Sequence, residues 1–151
     1  MISEIASAWG WTGLKPLSIV RDNDFGNLIV EDTSGCYWRI CPEDLYCETI
    51  AHNRQALDSL FNDNDFLIDW HMQRMVEEAF NQLGALKRAH KYHLAIPGVL
   101  GGEYHASNYR IVPLIEQIRF AGDVAQQIHN LPDGAKINLN VIGTNPTIKN
   151  H

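Results

Sequence analysis

The spacing of apolar and polar positions changes period along the chain. Ile2, Ile5, Ala6 and Trp9 fall at i, i+3, i+4 and i+7, the stripe of a short helix that Gly10 would stop. From residue 17 the period drops to two. Residues 17–21 and 27–31 are β-rich runs, joined by Asp22-Asn23-Asp24, which has turn composition. Asp32-Thr33-Ser34-Gly35 makes a tight connection, and residues 36–40 return as the next strand. Alternation places Leu28, Val30, Cys36, Trp38 and Ile40 on one buried face, with Glu31 and Arg39 pointing outward. After Pro42, residues 45–50 add a further antiparallel strand.

The centre of the chain then shifts to a period near 3.6. Asn53 is placed to cap a helix that buries Ala56, Leu57 and Leu60. Asp63-Asn64-Asp65 breaks it and opens a longer helix, residues 66–83, which Gly84 ends. Along it Phe66, Trp70, Met72, Val76, Phe80 and Leu83 are expected to face inward, and Asp69, Gln73, Glu77 and Asn81 outward. A strand is predicted at 92–96, a loop at 97–104, another strand around Tyr109, Ile111 and Leu114, and a last helix through Ile115, Ile118, Ala121, Ala125 and Ile128. Ile137, Leu139 and Val141 alternate in a final strand at 136–142, before a loose tail at 143–151. Strands first, helices next, then strand, helix and strand predict an α+β fold. Its mainly antiparallel sheet would start as an N-terminal hairpin meander and pack against three to four helices.

Composition narrows the class. At 151 residues and 45% apolar the chain suits a single domain with one core. It holds no apolar run long enough for a membrane span, and Met1-Ile2-Ser3-Glu4 lacks the basic start of a secretory signal, so a cytoplasmic protein is expected. The net charge of −6 is unevenly spread: residues 22–78 hold 13 acids against the three bases Arg39, Arg54 and Arg74. Such a surface argues against phosphate-contacting nucleic-acid binding and favours a basic partner. Asp63 and Asp65 suit the start of the following helix, which accounts for them without a partner. Asp58 lies on the preceding helix. Asp69 and Glu77 share one exposed stripe with Gln73, and together with Glu78 lack such a local reason.

Two motifs stand out. Phe25-Gly26-Asn27 with Trp38-Arg39-Ile40-Cys41-Pro42-Glu43 spans a strand, a tight turn and a strand, and Val99-Leu100-Gly101-Gly102-Glu103-Tyr104 is a glycine-rich loop ending in an acid and an aromatic. In this order and spacing they resemble the C-terminal domain family of type VI secretion immunity proteins, over about residues 14–142. The resemblance implies a protein without an active site, which binds and neutralises a secreted nuclease toxin and uses no cofactor or metal. Larger relatives often carry an N-terminal module. Here only residues 1–13 precede the matching region, so that module is expected to be absent or reduced to the helix around Trp9. The partner-binding candidates are Asp58, Asp69, Glu77 and Glu78 on the helices and Gly101, Gly102, Glu103 and Tyr104 in the loop, with Tyr37 and Tyr46 as possible aromatic anchors. A monomer or weak homodimer is expected.

Other chemistries fit less well. Cys36, Cys41, Cys47 and His52 offer zinc-type ligands, but their spacing is not that of tight knuckles, and Cys36 and Cys41 would face opposite sides of a strand. His90 or His93 with Glu103 could act as an acid–base pair in a hydrolase, yet no nucleophile elbow, H-E-x-x-H or phosphate-loop pattern occurs. Gly101-Gly102 also has a purely structural reading, a sharp bend between strands. The alternative to the immunity function is a ligand-sensing or scaffold domain whose small pocket is lined by residues 97–104.

Overall fold

The computed structural model describes residues 1–132 together with 139 and 142. Apart from those two positions, the strand expected at 136–142 and the tail at 143–151 lie outside the described residues. The fold is α+β. Helix α1 (Ile2–Trp9) runs through a 3-10 turn into a meander of β1 (Pro16–Asp22), β2 (Leu28–Asp32), β3 (Tyr37–Cys41) and β4 (Tyr46–Ala51), antiparallel and in chain order. Helices α2 (Arg54–Leu60), α3 (Asn64–His71) and α4 (Gln73–Leu83) follow. Strands β5 (His90–Leu94) and β6 (Tyr109–Pro113) form a separate two-stranded sheet, and α5 (Leu114–Asn130) comes last.

The register explains the first core. Val30 stands opposite Trp38 and Leu28 opposite Ile40, so these four side chains share a face. They pack with Ile5 and Trp9 of α1 and Ile118, Ala121 and Ala125 of α5. Helices α1 and α5 approach so closely that a Cβ on Gly122 would lie 2.4 Å from the Ala8 carbonyl oxygen. Cys36 does not join this face; it precedes β3, half-buried, with its sulfur 3.8 Å from His52 Nδ1.

The other face of the meander is also covered, which corrects two sequence expectations. Ile29, Tyr37 and Ala51 pack there against Leu57 of α2 and Trp70 of α3. Tyr37 is therefore only 4% exposed and is no surface anchor. Arg39, opposite Ile29 in the register, is only 5% exposed rather than outward-facing. Period-two alternation separates two faces but cannot say that both are buried.

The helical centre is capped as its composition predicts. Asn53 accepts a hydrogen bond from the Ala56 amide at 2.8 Å, and the Asp63 carboxylate accepts from the Asp65 amide at 2.9 Å. The helix expected over 66–83 is instead two helices. Met72, with φ 49°, ends α3 in the left-handed region and starts α4 in a new phase. As a result Ala79 is fully buried, while Phe80, expected inside, is 54% exposed. In the second sheet, β5 begins two residues before the expected strand. The strand ends at Leu94: the Ala95 amide still donates to the Asn108 carbonyl at 2.8 Å, but at Ile96 the Asn108 side chain takes over, bonding its amide and carbonyl, each at 2.9 Å.

Candidate functional site

The residues of the first motif meet in the interior. The Asn27 amide donates to both carboxylate oxygens of Glu43, at 2.6 and 3.0 Å, and its oxygen accepts from Arg39 Nε at 3.0 Å. Arg39 Nη1 bonds Asp69 Oδ2 at 2.5 Å, and the guanidinium lies 5.2 Å from the Trp70 ring centroid. Asn23 Nδ2 donates to the Trp70 carbonyl at 2.8 Å and lies 3.6 Å from Met72 Sδ. Asn23 and Asn27 of the β1–β2 turn and Arg39 of β3 thus hold the junction of α3 and α4 by its side chains and its backbone.

The charges in this network follow its burial. Desolvation pushes the Glu43 carboxyl above the usual carboxylate range, against the opposing pull of the Cys41, Asn27 and Arg39 groups. Cys41, facing Glu43 in the same low-dielectric pocket, has its thiol pushed up by burial first and by Glu43 second. Burial disfavours the Arg39 cation and is the largest single effect, but the Asp69 hydrogen bond together with the charges of Tyr46, Cys41 and Asp69 outweighs it and holds the guanidinium above its ordinary value.

A second polar centre joins the sheets to α5. Gln117 Nε2 donates to the carbonyls of Phe25 and Tyr92, both at 3.1 Å, and lies 3.3 Å from His93 Nδ1. His93 is 2% exposed, and burial followed by the nearby Arg110 charge lowers its pKa to about 4. Gly26 lies so close to this centre that a Cβ would fall 1.8 Å from Gln117 Oε1, and its φ of 77° is itself a glycine conformation.

The partner-binding candidates are dispersed. Asp58 pairs with Arg54 at 3.0 Å on α2. Asp69 is exposed but is committed to Arg39. Glu77 accepts from Gln73 Nε2 at 3.0 Å, and Glu78 lies 3.8 Å from Arg74 and 3.5 Å from the Tyr109 hydroxyl. In the loop, Gly101 adopts φ 91°, and a Cβ on Gly102 would fall 1.7 Å from the Ile96 carbonyl oxygen. The Tyr104 hydroxyl donates to Asp44, and the Glu103 carbonyl accepts from Asn108 Nδ2 at 3.0 Å, leaving the Glu103 side chain exposed. The loop is thereby fastened to the β3–β4 turn and to the start of β6.

For the other chemistries, no hydrogen bond or ion pair joins Glu103 to His90 or His93 among the described residues, and His90 Nδ1 sits 2.8 Å from the Arg88 carbonyl. No described group of three or more His, Cys, Asp and Glu side chains is arranged to hold a metal ion. No described helix is long and apolar enough to cross a membrane.

Sequence reading missed the surface where α3 meets α4. Ile68 is 73% exposed, and a groove of about 550 Å³ at the junction is lined by Leu67, Ile68, Met72 and Met75. A second concavity of similar size runs along α4 past Val76, Glu77 and Phe80 to Asp24 and Tyr92. The signal was Ile68 itself, an apolar residue off the inward stripe of the predicted helix.

Fold and surface together describe a small α+β protein with a rigidly held helical elbow and a mixed apolar and acidic exterior. Residues 51–125 match the model of the family described as T6SS immunity protein Tdi1, C-terminal. The family found by comparison is the one the motifs resemble. The matched segment contains the second motif and all eight partner-binding candidates, whereas the first motif precedes it. No curated protein matches the chain.

Proposed function

We propose that this protein is a non-enzymatic immunity protein that neutralises a cognate type VI secretion toxin, a basic nuclease, by binding it one to one in the cytoplasm. The observation that carries the reading is the family match over residues 51–125. The acidic excess of residues 22–78 supports a basic partner. Neutralisation by binding needs a large complementary surface with a few anchor side chains rather than catalytic geometry. The test is co-expression with the protein encoded by the adjacent gene, followed by affinity capture and a growth assay. A stoichiometric complex and restored growth are expected; a neighbour that is harmless alone, or that does not associate, defeats the reading for that pair.

One observation favours a second reading. A concavity of about 410 Å³ is lined by Gly101, Gly102 and Glu103 of the loop and by Arg110. A ligand-sensing domain would use it, and a small-molecule screen read by thermal shift would find a stabilising compound whose effect Arg110→Gln abolishes.

A further inference from the structure

Scattered exposed apolar residues are normal on a protein surface, but two neighbouring, largely apolar grooves along one helix, held in shape from beneath, are not. Ile68 is the most exposed large apolar side chain among the described residues. The grooves lined by Ile68 and by Phe80 both border α4. Asp65 precedes Ile68 by three residues on α3, and Glu77 precedes Phe80 by three on α4, so each apolar side chain has an exposed acid beside it on its own helix face. Asp24 adds a third exposed carboxylate at the second groove. Arg74 and His71 also line the first groove, and Arg74 lies 3.8 Å from Glu78. Beneath the surface, Asn23 holds the Trp70 carbonyl, and Met72 keeps a left-handed backbone that only its surroundings stabilise. The elbow is preformed, which lowers the ordering cost of docking.

We infer that the α3–α4 elbow is the docking surface for the toxin, and that it receives a segment presenting an apolar side chain flanked by lysines or arginines. Ile68 and Phe80 are the anchors; Asp65, Glu77 and Asp24 face the flanking cations. This assignment rests on the reading of the chain as an immunity protein.

The experiment measures binding of the purified protein encoded by the adjacent gene to wild type, Ile68→Asp, Phe80→Asp and Leu17→Asp, with sedimentation of each variant alone. Leu17, 56% exposed on β1, is the control. Wild type should bind. Ile68→Asp and Phe80→Asp should each weaken the complex about tenfold or more, mainly through faster dissociation, and Leu17→Asp should leave it unchanged. Hydrogen exchange on the wild-type complex should show protection at residues 64–81, which removes any dependence on how the variants fold. Wild-type affinity in both elbow variants, or no protection at the elbow, overturns the assignment while the immunity reading stands. A wild-type dimer that Ile68→Asp dissociates gives the surface to a second copy and overturns it too. If wild type fails to bind at all, the immunity reading itself falls.

Discussion

Asp69 looks like a free surface acid, and its side chain is indeed 68% exposed, but it is the counter-ion of an arginine whose side chain is only 6% exposed. Removing it leaves the Arg39 cation in the interior with, among the described residues, the Asn27 oxygen as its one hydrogen-bond acceptor and the Trp70 ring beside it. Asp69→Ala should therefore destabilise the fold by about 1–2 kcal/mol, the carboxylate's own exposure keeping the loss below that of a fully buried pair. Asp69→Lys should do more harm, and urea unfolding of both variants measures the difference. His93 makes a complementary prediction. Its folded pKa of about 4 lies below the unfolded value near 6.5, so the unfolded chain binds more protons between these limits. Stability should fall as pH drops from about 6.5 towards 4, by up to about 3 kcal/mol from this group. Glu43 acts in the opposite sense: its raised pKa gives stability at low pH that is lost as pH rises through the folded value. His93→Gln should flatten the acid limb of the pH–stability profile while leaving Glu43's opposing slope in place.

The β-strands of the meander were legible because Leu28, Val30, Trp38 and Ile40 alternate strictly and their tight turns are marked by glycine, asparagine and aspartate. What alternation could not reveal was the partner of the second face, and so Arg39 and Tyr37 were placed on the wrong side of the surface. The helix break was illegible for a different reason. Met72 is neither glycine nor proline, and the neighbours that hold it at a positive φ, Asn23 and Asn27 beside its sulfur, lie some 45–49 residues away, outside any local window. The proposed docking surface was legible in the same uneven way: its acids were visible as a charge bias and Ile68 as an apolar residue off the inward stripe, whereas Phe80 required the changed helical phase. Gly26 shows how tightly the elements are joined. It turns β1 into β2 directly against Gln117 of α5. Gly26→Ala combines an unfavourable φ with a collision at Gln117, and should lower stability by more than about 2 kcal/mol in thermal or urea unfolding. Gly35, with φ 89° but open space around it, should tolerate alanine better, since only the backbone term remains.

Across the whole molecule the charge pattern bears on association more than on stability. Each of the three bases within residues 22–78 is already engaged by an acid of the same segment, Arg39 with Asp69, Arg54 with Asp58 and Arg74 near Glu78. Of the remaining acids, Asp22 is paired with Lys91 at 2.7 Å and Glu43 is buried, so it is the exposed carboxylates of Asp24, Asp65 and Glu77 that give the elbow a field of the kind that steers a basic partner during diffusion. Asp69 is a poor probe of that field, because changing it also disturbs Arg39. Glu77 is a better one: it is exposed and, among the described residues, bonded to Gln73 alone, and both groups can be hydrated without loss of core packing. Glu77→Lys should slow association with a basic toxin about two- to tenfold at low ionic strength, with little change in unfolding midpoint. The gap should close near 1 M salt, where the screening length falls to about 3 Å. Stopped-flow association across a salt series separates this effect from loss of an apolar anchor, which appears in the dissociation rate and survives high salt. An on-rate for Glu77→Lys equal to wild type at every salt concentration would remove the field of the elbow from the account of binding.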